Sequence, residues 1–226
     1  MQYQNIKKGQ FLARPNRFIA HILLDGKEEI CHVKNTGRCR ELLVPNREVY
    51  VTACHSPARK TKYDLVCVRK GDSLINIDSM APNVAFGEWV TNSHFFGDIS
   101  VLKPEYTYGN SRFDFYIEAS GQKCLVEIKG VTLEADGIVR FPDAPTERGT
   151  KHLRELIKCK NAGFDAHVFF IAQMENVSYF TPNGETDPVF AATLSEAAKS
   201  GVGVHCLSCR VTPDTMTVQD FVPVKI

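Results

Sequence analysis

Between Ser111 and Val131 the chain alternates apolar and polar residues twice, with a polar, glycine-containing break between the two runs. In the first run Phe113, Phe115 and Ile117 fall on one face and Arg112, Asp114, Tyr116 and Glu118 on the other. In the second, Cys124, Val126 and Ile128 oppose Lys123, Leu125, Glu127 and Lys129, and only Leu125 breaks the polar set. A period of two is the signature of a half-buried strand. With Ala119-Ser120-Gly121-Gln122 as the turn, Glu118 pairs with Lys123. The same register sets Phe115 against Val126, Asp114 against Glu127 and Phe113 against Ile128.

The same reading elsewhere predicts two architectures in succession. Up to residue 79 the apolar segments are short: Phe11–Leu24 interrupted by Arg14-Pro15-Asn16, then Glu29–Val33, Glu48–Cys54, Lys62–Arg69 and Leu74–Ile77. Asp25-Gly26 and Gly71-Asp72 mark tight turns, and Gly37–Val44 suits a short helix or turn. Five strands of this kind suit an oligonucleotide-binding (OB) barrel. Asp78–Gly97 then reads as a connector and short helix, placing a boundary near Ser79 and dividing the chain into 1–79 and 80–226. Further on, Gly137–Phe141 forms a third strand, and Thr146 caps a helix running to Lys160, with Gly163 as its stop. The apolar run Ala166–Ala172 is a central strand, the order strand, helix, strand implying a parallel pair. Asp187-Pro188 opens a second helix to Lys199, and Val204–Val211 is the last strand. The fold class is mixed α/β, a five-stranded barrel followed by a mixed α/β domain.

Composition narrows the class. With 226 residues, 43% hydrophobic and 23% charged, the chain is ordinary for a globular protein. It has no apolar run long enough for a membrane span and no signal peptide's apolar region, so the expected location is the cytoplasm. The eight cysteines show no metal-knuckle spacing. In Cys206-x-x-Cys209 an offset of three along a strand sends the thiols to opposite faces. The net charge of +1 is divided unevenly: 14 − 8 = +6 over residues 1–80 and 13 − 18 = −5 over the rest. A basic front suits a polyanionic partner and a carboxylate-rich remainder suits a metal.

That division changes how the hairpin reads. Two carboxylates facing across a ladder repel, and a cation between them resolves the conflict. Mg²⁺ or Mn²⁺ fits such a pair, with water and phosphate completing its shell and Lys129 beside it. The same residues also read as the solvated side of a hairpin. Cations cluster in two loops, Arg38 and Arg40 in one and Arg59, Lys60 and Lys62 in the other, where they could track a phosphate backbone. Phe18, Tyr50 and Tyr63 are stacking candidates for bases, although core packing suits Phe18 and Tyr50 better. Arg148, Lys151 and His152 line the charged face of the helix after Thr146, with His152 as a phosphate contact, a proton shuttle or a solvated histidine.

Asp114 followed by Glu127-Ile128-Lys129 resembles the PD-(D/E)XK nuclease core, with Phe113 where the motif has proline. NTGR at Asn35–Arg38, SRFDF at Ser111–Phe115, VEIKGVTL at Val126–Leu133 and FPDAPTERGTKHL at Phe141–Leu153 together resemble the sugar fermentation stimulation protein A family. That resemblance implies an OB barrel joined to a nuclease-like domain, and binding to DNA without strong sequence preference. It further implies a regulatory link to sugar metabolism, metal ligation by Asp114 and Glu127, a catalytic set completed by Lys129, and DNA contacts around Arg38 and Lys60. A DNA-binding protein with an inert core and a Mg²⁺-dependent deoxyribonuclease both remain open, as does a homodimer.

Overall fold

A computed structural model describes residues 1–35, 37–54 and 59–226; Thr36 of the Asn35–Arg38 motif lies outside them. The first strands are β1 (Ile6–Asn16), β2 (Ile19–Leu24), β3 (Lys27–Val33), β4 (Glu48–Ala53), β5 (Tyr63–Lys70) and β6 (Ser73–Asn76). Their order is β3-β2-β1-β4-β5-β6, and a parallel pairing of β3 with β5 closes β1 to β5 into a five-stranded barrel. The strand count holds but its make-up differs from expectation. The apolar stretch Phe11–Leu24 is two strands broken at Arg17-Phe18 rather than at Arg14-Pro15-Asn16, and the last segment, β6, adds to β5 outside the closed ring. The turns at Asp25-Gly26 and Gly71 take positive φ, as their sequences demand. Residues 37–44 form turns and no helix.

The second part opens with α1 (Ala81–Val90), started by Pro82 and ending well before Gly97. There follow β7 (Ile99–Tyr108), β8 (Ser111–Ala119), β9 (Gln122–Val131), β10 (Leu133–Ala135), β11 (Ile138–Phe141) and α2 (Glu147–Asn161). β12 (Asp165–Ala172), β13 (Tyr179–Pro182), α3 (Pro188–Lys199), β14 (Gly203–Val211) and β15 (Met216–Val222) complete the chain. The main sheet runs β15-β14-β12-β9-β8-β7, and β10-β11-β13 form a small second sheet. Thr146 and Asp187 cap α2 and α3, their side chains accepting from the N–H groups of Gly149 and Phe190. β12 lies mid-sheet, parallel to β9 and to β14; its parallel partner is β9, not the strand β11 that immediately precedes α2. β7, β10, β13 and β15 were not legible in the pattern: two are very short, and β7 and β15 are sheet edges that keep many polar positions.

Layering decides what the alternation of β9 means. Leu153, Leu156, Phe190 and Leu194 of α2 and α3 cover one sheet face together with Leu125 and Val131. Phe86 and Val90 of α1 cover the other with Cys124, Val126 and Ile128. From Cys124 to Ile128 β9 is therefore buried on both faces, so Glu127 is not on a solvated side, although Arg112 and Lys123 of the polar set are exposed. Cys206 and Cys209 fall into these two opposite clusters, as their offset requires, and all eight cysteines are free. Among the described residues no helix is long and apolar enough to cross a membrane.

The barrel is tied to the second domain by buried polar contacts. The Gln173 side-chain amide donates to Asn76 Oδ1 at 3.0 Å and to the Asp78 carbonyl at 3.1 Å. The Asn76 N–H donates in turn to the Gln173 carbonyl at 3.0 Å.

Candidate metal and phosphodiester site

The β8–β9 hairpin forms in the expected register as far as it is paired: Ala119↔Gln122, Glu118↔Lys123, Ile117↔Cys124, Tyr116↔Leu125 and Phe115↔Val126. The ladder ends there, one step short of Asp114 and Glu127. Instead of facing Glu127 across a paired rung, the Asp114 carboxylate caps the next backbone group, Oδ2 accepting from the Ile128 N–H at 2.7 Å. Its Oδ1 accepts from the Asn83 side-chain amide of α1, also at 2.7 Å. Phe113 leaves the face of Phe115 and Ile117 and packs in the opposite cluster with Leu125. The strict alternation is lost where β8 parts from β9, and that parting gives Asp114 room beside Glu127.

Glu127 is 2% exposed. Its Oε1 contacts both the Lys129 ammonium and the His152 ring Nδ1. Its Oε2 is buried and has no partner. Burial raises the pKa of Glu127, but the Lys129 ammonium and His152 outweigh it and hold the carboxyl below its ordinary range. Asp114 moves the other way: burial and the Glu127 charge push it up, against the Ile128 N–H, Lys129 and Asn83. Two neighbouring carboxylates driven apart in this way mark a site short of positive charge.

The residues fit a divalent cation. An ionised buried oxygen without a donor carries a desolvation penalty that a cation removes, and Glu127 Oε2 is such an atom beside the Asp114 carboxylate. Among the described residues no group of three or more His, Cys, Asp or Glu forms a closed cage. The donor set is therefore two carboxylates, the type that leaves part of the coordination shell to water and phosphate.

The other residues singled out by sequence scatter into different roles. His152 is buried against Glu127 and is no solvated helix histidine, while Arg148 and Lys151 are exposed on the same helix. Arg38 and Arg40 are exposed, as are Lys60 and Lys62. Arg59 is engaged inside the barrel: its guanidinium grips the buried Asp64 carboxylate, which Lys34 also contacts at 3.0 Å, and its side chain remains 30% exposed. Phe18, expected in the core, is 55% exposed, whereas Tyr50 is buried. Asn83 was missed because nothing in a helix-start sequence announces that its amide will hold a carboxylate. Arg17 and Arg140, which line the seam between the two domains, were missed because no local signal shows that residues so far apart in the chain will share one recess.

Comparison with known proteins agrees with the architecture. Residues 12–77 match the SfsA N-terminal OB domain and residues 80–215 the sugar fermentation stimulation protein RE domain. A sugar fermentation stimulation protein homolog of Desulfitobacterium hafniense (strain DSM 10664 / DCB-2) is 55% identical over 226 residues, covering 100% of this chain and 99% of that one. One of Clostridium beijerinckii is 52% identical over 224 residues, covering 99% of each. The structure of Pyrococcus furiosus SfsA in complex with Ca²⁺ superposes with a TM-score of 0.91 at 30% identity, covering 100% of this chain and 98% of that chain. With both halves matched and relatives similar along its whole length, the chain belongs to the sugar fermentation stimulation protein A family.

Proposed function

We infer that the chain binds DNA through its basic barrel and hydrolyses phosphodiester bonds at Asp114, Glu127 and Lys129 with a bound Mg²⁺ or Mn²⁺. The observation that carries this reading is the buried, unpartnered Glu127 Oε2 next to a second carboxylate and a lysine. A relative solved with Ca²⁺ supports a divalent ion as its occupant. When bound, such an ion polarises a phosphoryl oxygen and makes water a stronger nucleophile. Asp114 and Glu127 would hold it, Asn83 and the Ile128 N–H orient Asp114, and His152 orients Glu127. Lys129 would turn its ammonium from Glu127 toward the charge that develops on phosphate. The link to sugar fermentation in the relatives' name is compatible with a DNA-directed activity acting upstream of metabolism.

A second reading is favoured by one contact. Lys129 already neutralises Glu127 internally, which suits a protein that binds DNA and regulates without cleaving it. Incubating the protein with single- and double-stranded DNA, with Mg²⁺, with Mn²⁺ and with EDTA, separates the two. Metal-dependent cleavage abolished by Glu127→Gln is the expected result. Retention of DNA without cleavage on every substrate and ion would leave the binding role alone.

A further inference from the structure

Two concavities meet at the seam between barrel and second domain. The larger, about 720 Å³, is lined by Arg14, Arg17, Arg38 and Arg40 of the barrel. The other, about 380 Å³, shares Arg17 and Arg38 and adds Arg140, Phe141 and Asp143 from the second domain. Its wall includes Gly130, the residue after Lys129, and Thr146, the cap of the helix that carries His152. Through Gly130 the smaller recess reaches the strand that carries Glu127 and Lys129.

Its arginines are held ready and unspent. Arg14 acts as a clamp: one guanidinium nitrogen donates to the carbonyls of Gly37 and Arg38 at 2.9 and 2.8 Å, the other to those of Arg17 and Asn35 at 2.8 and 2.7 Å. The two backbone segments that bear Arg17 and Arg38 are thereby locked together. Asp143 Oδ2 accepts from the Arg38 N–H at 2.7 Å and joins the same loop to the second domain. The arginines in ion pairs are Arg59, Arg69, Arg112 and Arg210, so Arg17, Arg38 and Arg140 have no carboxylate partner among the described residues. The charged groups lining the recess are these three arginines and Asp143, a sum of 3 − 1 = +2.

We propose that this recess binds the terminal phosphomonoester of a nucleic-acid strand and so seats the strand end next to the carboxylate site. A phosphomonoester carries about −1.5 to −2 charge at neutral pH, against −1 for a diester, and therefore matches the +2 recess better than an internal phosphate does. Guanidinium groups are suited to its geometry because they bind phosphate oxygens in pairs. The volume is at the small end of ligand sites, of the order of one nucleotide, and Phe141 supplies an apolar wall for the sugar or base. A duplex groove or a continuous backbone would use the open trough along Arg40 instead. The assignment rests on the reading of this protein as nucleic-acid binding, but it requires neither a metal nor turnover.

The test is therefore made in EDTA, by fluorescence anisotropy with one short single-stranded DNA carrying a 5′-phosphate, a 3′-phosphate or hydroxyls at both ends. Wild-type protein should bind one of the phosphorylated strands roughly tenfold more tightly than the hydroxyl-ended strand, the gain expected of about 1.4 kcal/mol from added charge-assisted hydrogen bonds. In Arg140→Gln, and separately in Arg17→Gln/Arg38→Gln, that ratio should fall to about 1, with thermal melting confirming that each variant is folded. A wild-type ratio near 1, or a ratio that survives both variants, overturns the assignment. Because this binding test contains no metal, absence of DNA cleavage in the Mg²⁺ and Mn²⁺ incubations would sink the hydrolytic reading without touching this one. Cleavage by a protein indifferent to the end phosphate would sink only the recess.

Discussion

Lys129 is two residues from Glu127 on the same strand face, its side chain only 15% exposed and its ammonium held on the buried Glu127 carboxylate. Its ammonium is too enclosed to serve as a general DNA tether. We expect Lys129→Ala to lower any Mn²⁺-supported cleavage by roughly 10²-fold while leaving retention in a gel-shift assay nearly unchanged, the scale of losing one preorganised electrostatic group. Equal losses in both assays would make it an ordinary phosphate contact. Asp114 is tested by calorimetry: wild-type protein should take up about one Mn²⁺ weakly, and Asp114→Asn should remove the heat signal. Binding that survives this change would place the ion elsewhere. At this scale the grouping of the residues was legible, because a carboxylate on each of two alternating runs and a lysine two residues on are visible in any register. That His152 turns inward to Glu127 was not, since helical spacing leaves its direction to whatever α2 packs against.

Two elements carry stability predictions distinct from function. Arg59 lies in the connection between β4 and β5, and its guanidinium closes on Asp64 at the start of β5. Burial pushes the Asp64 carboxyl up, but Arg59 and Lys34 outweigh it and bring it from 3.8 down to about 2. Because the folded value is the lower one, the ionised Asp64 contributes stability in full above pH 4, and that contribution is lost as pH falls toward 2. Acid unfolding followed by circular dichroism should therefore be shallower between pH 4 and 2 in Asp64→Asn than in wild type, and an equal slope would discharge Asp64 from this role. Arg59→Gln should cost about 1.5–3 kcal/mol in denaturant unfolding, the range for a hydrogen bond to a charged group. The second element is the end of β9. A Cβ on Gly130 would lie 2.4 Å from Gln173 Oε1 and 2.8 Å from Pro82 Cγ. Gln173 cannot swing away without losing its bonds to Asn76 and Asp78. Gly130→Ala should destabilise by about 1–3 kcal/mol, as overpacking does, and a neutral result would mean that the junction is loose. Two capped helices and the central strand β12 were readable here, because caps and long apolar runs are local signals. The edge strands β7 and β15 were not, because strands with polar positions become strands only by pairing.

The whole molecule sets a basic barrel against a carboxylate-rich domain, and its affinity for DNA should be electrostatic. Lys60 and Lys62 are exposed, whereas Arg59 is spent on Asp64. Replacing both lysines by glutamine should reduce the slope of log affinity against log salt by roughly 2 units if each meets one phosphate. An unchanged slope would move the DNA surface to the Arg17, Arg38 and Arg40 trough alone. The sequence by itself determined the order of the capped helices and the central strands, the hairpin and most of its register, the two charged halves and the spacing of Asp114, Glu127 and Lys129. These follow from periodicity, turn chemistry and spacing, which act over a few residues. Only the tertiary structure decided that both faces of β9 are covered, that the ladder stops before Asp114, that Asn83 and His152 orient the two carboxylates, and that Arg17 and Arg38 meet Arg140 across the seam. The physical reason is the same in each case. Burial, desolvation and charge balance belong to groups far apart in the chain, and they acquire values only when packing brings those groups within a few ångströms.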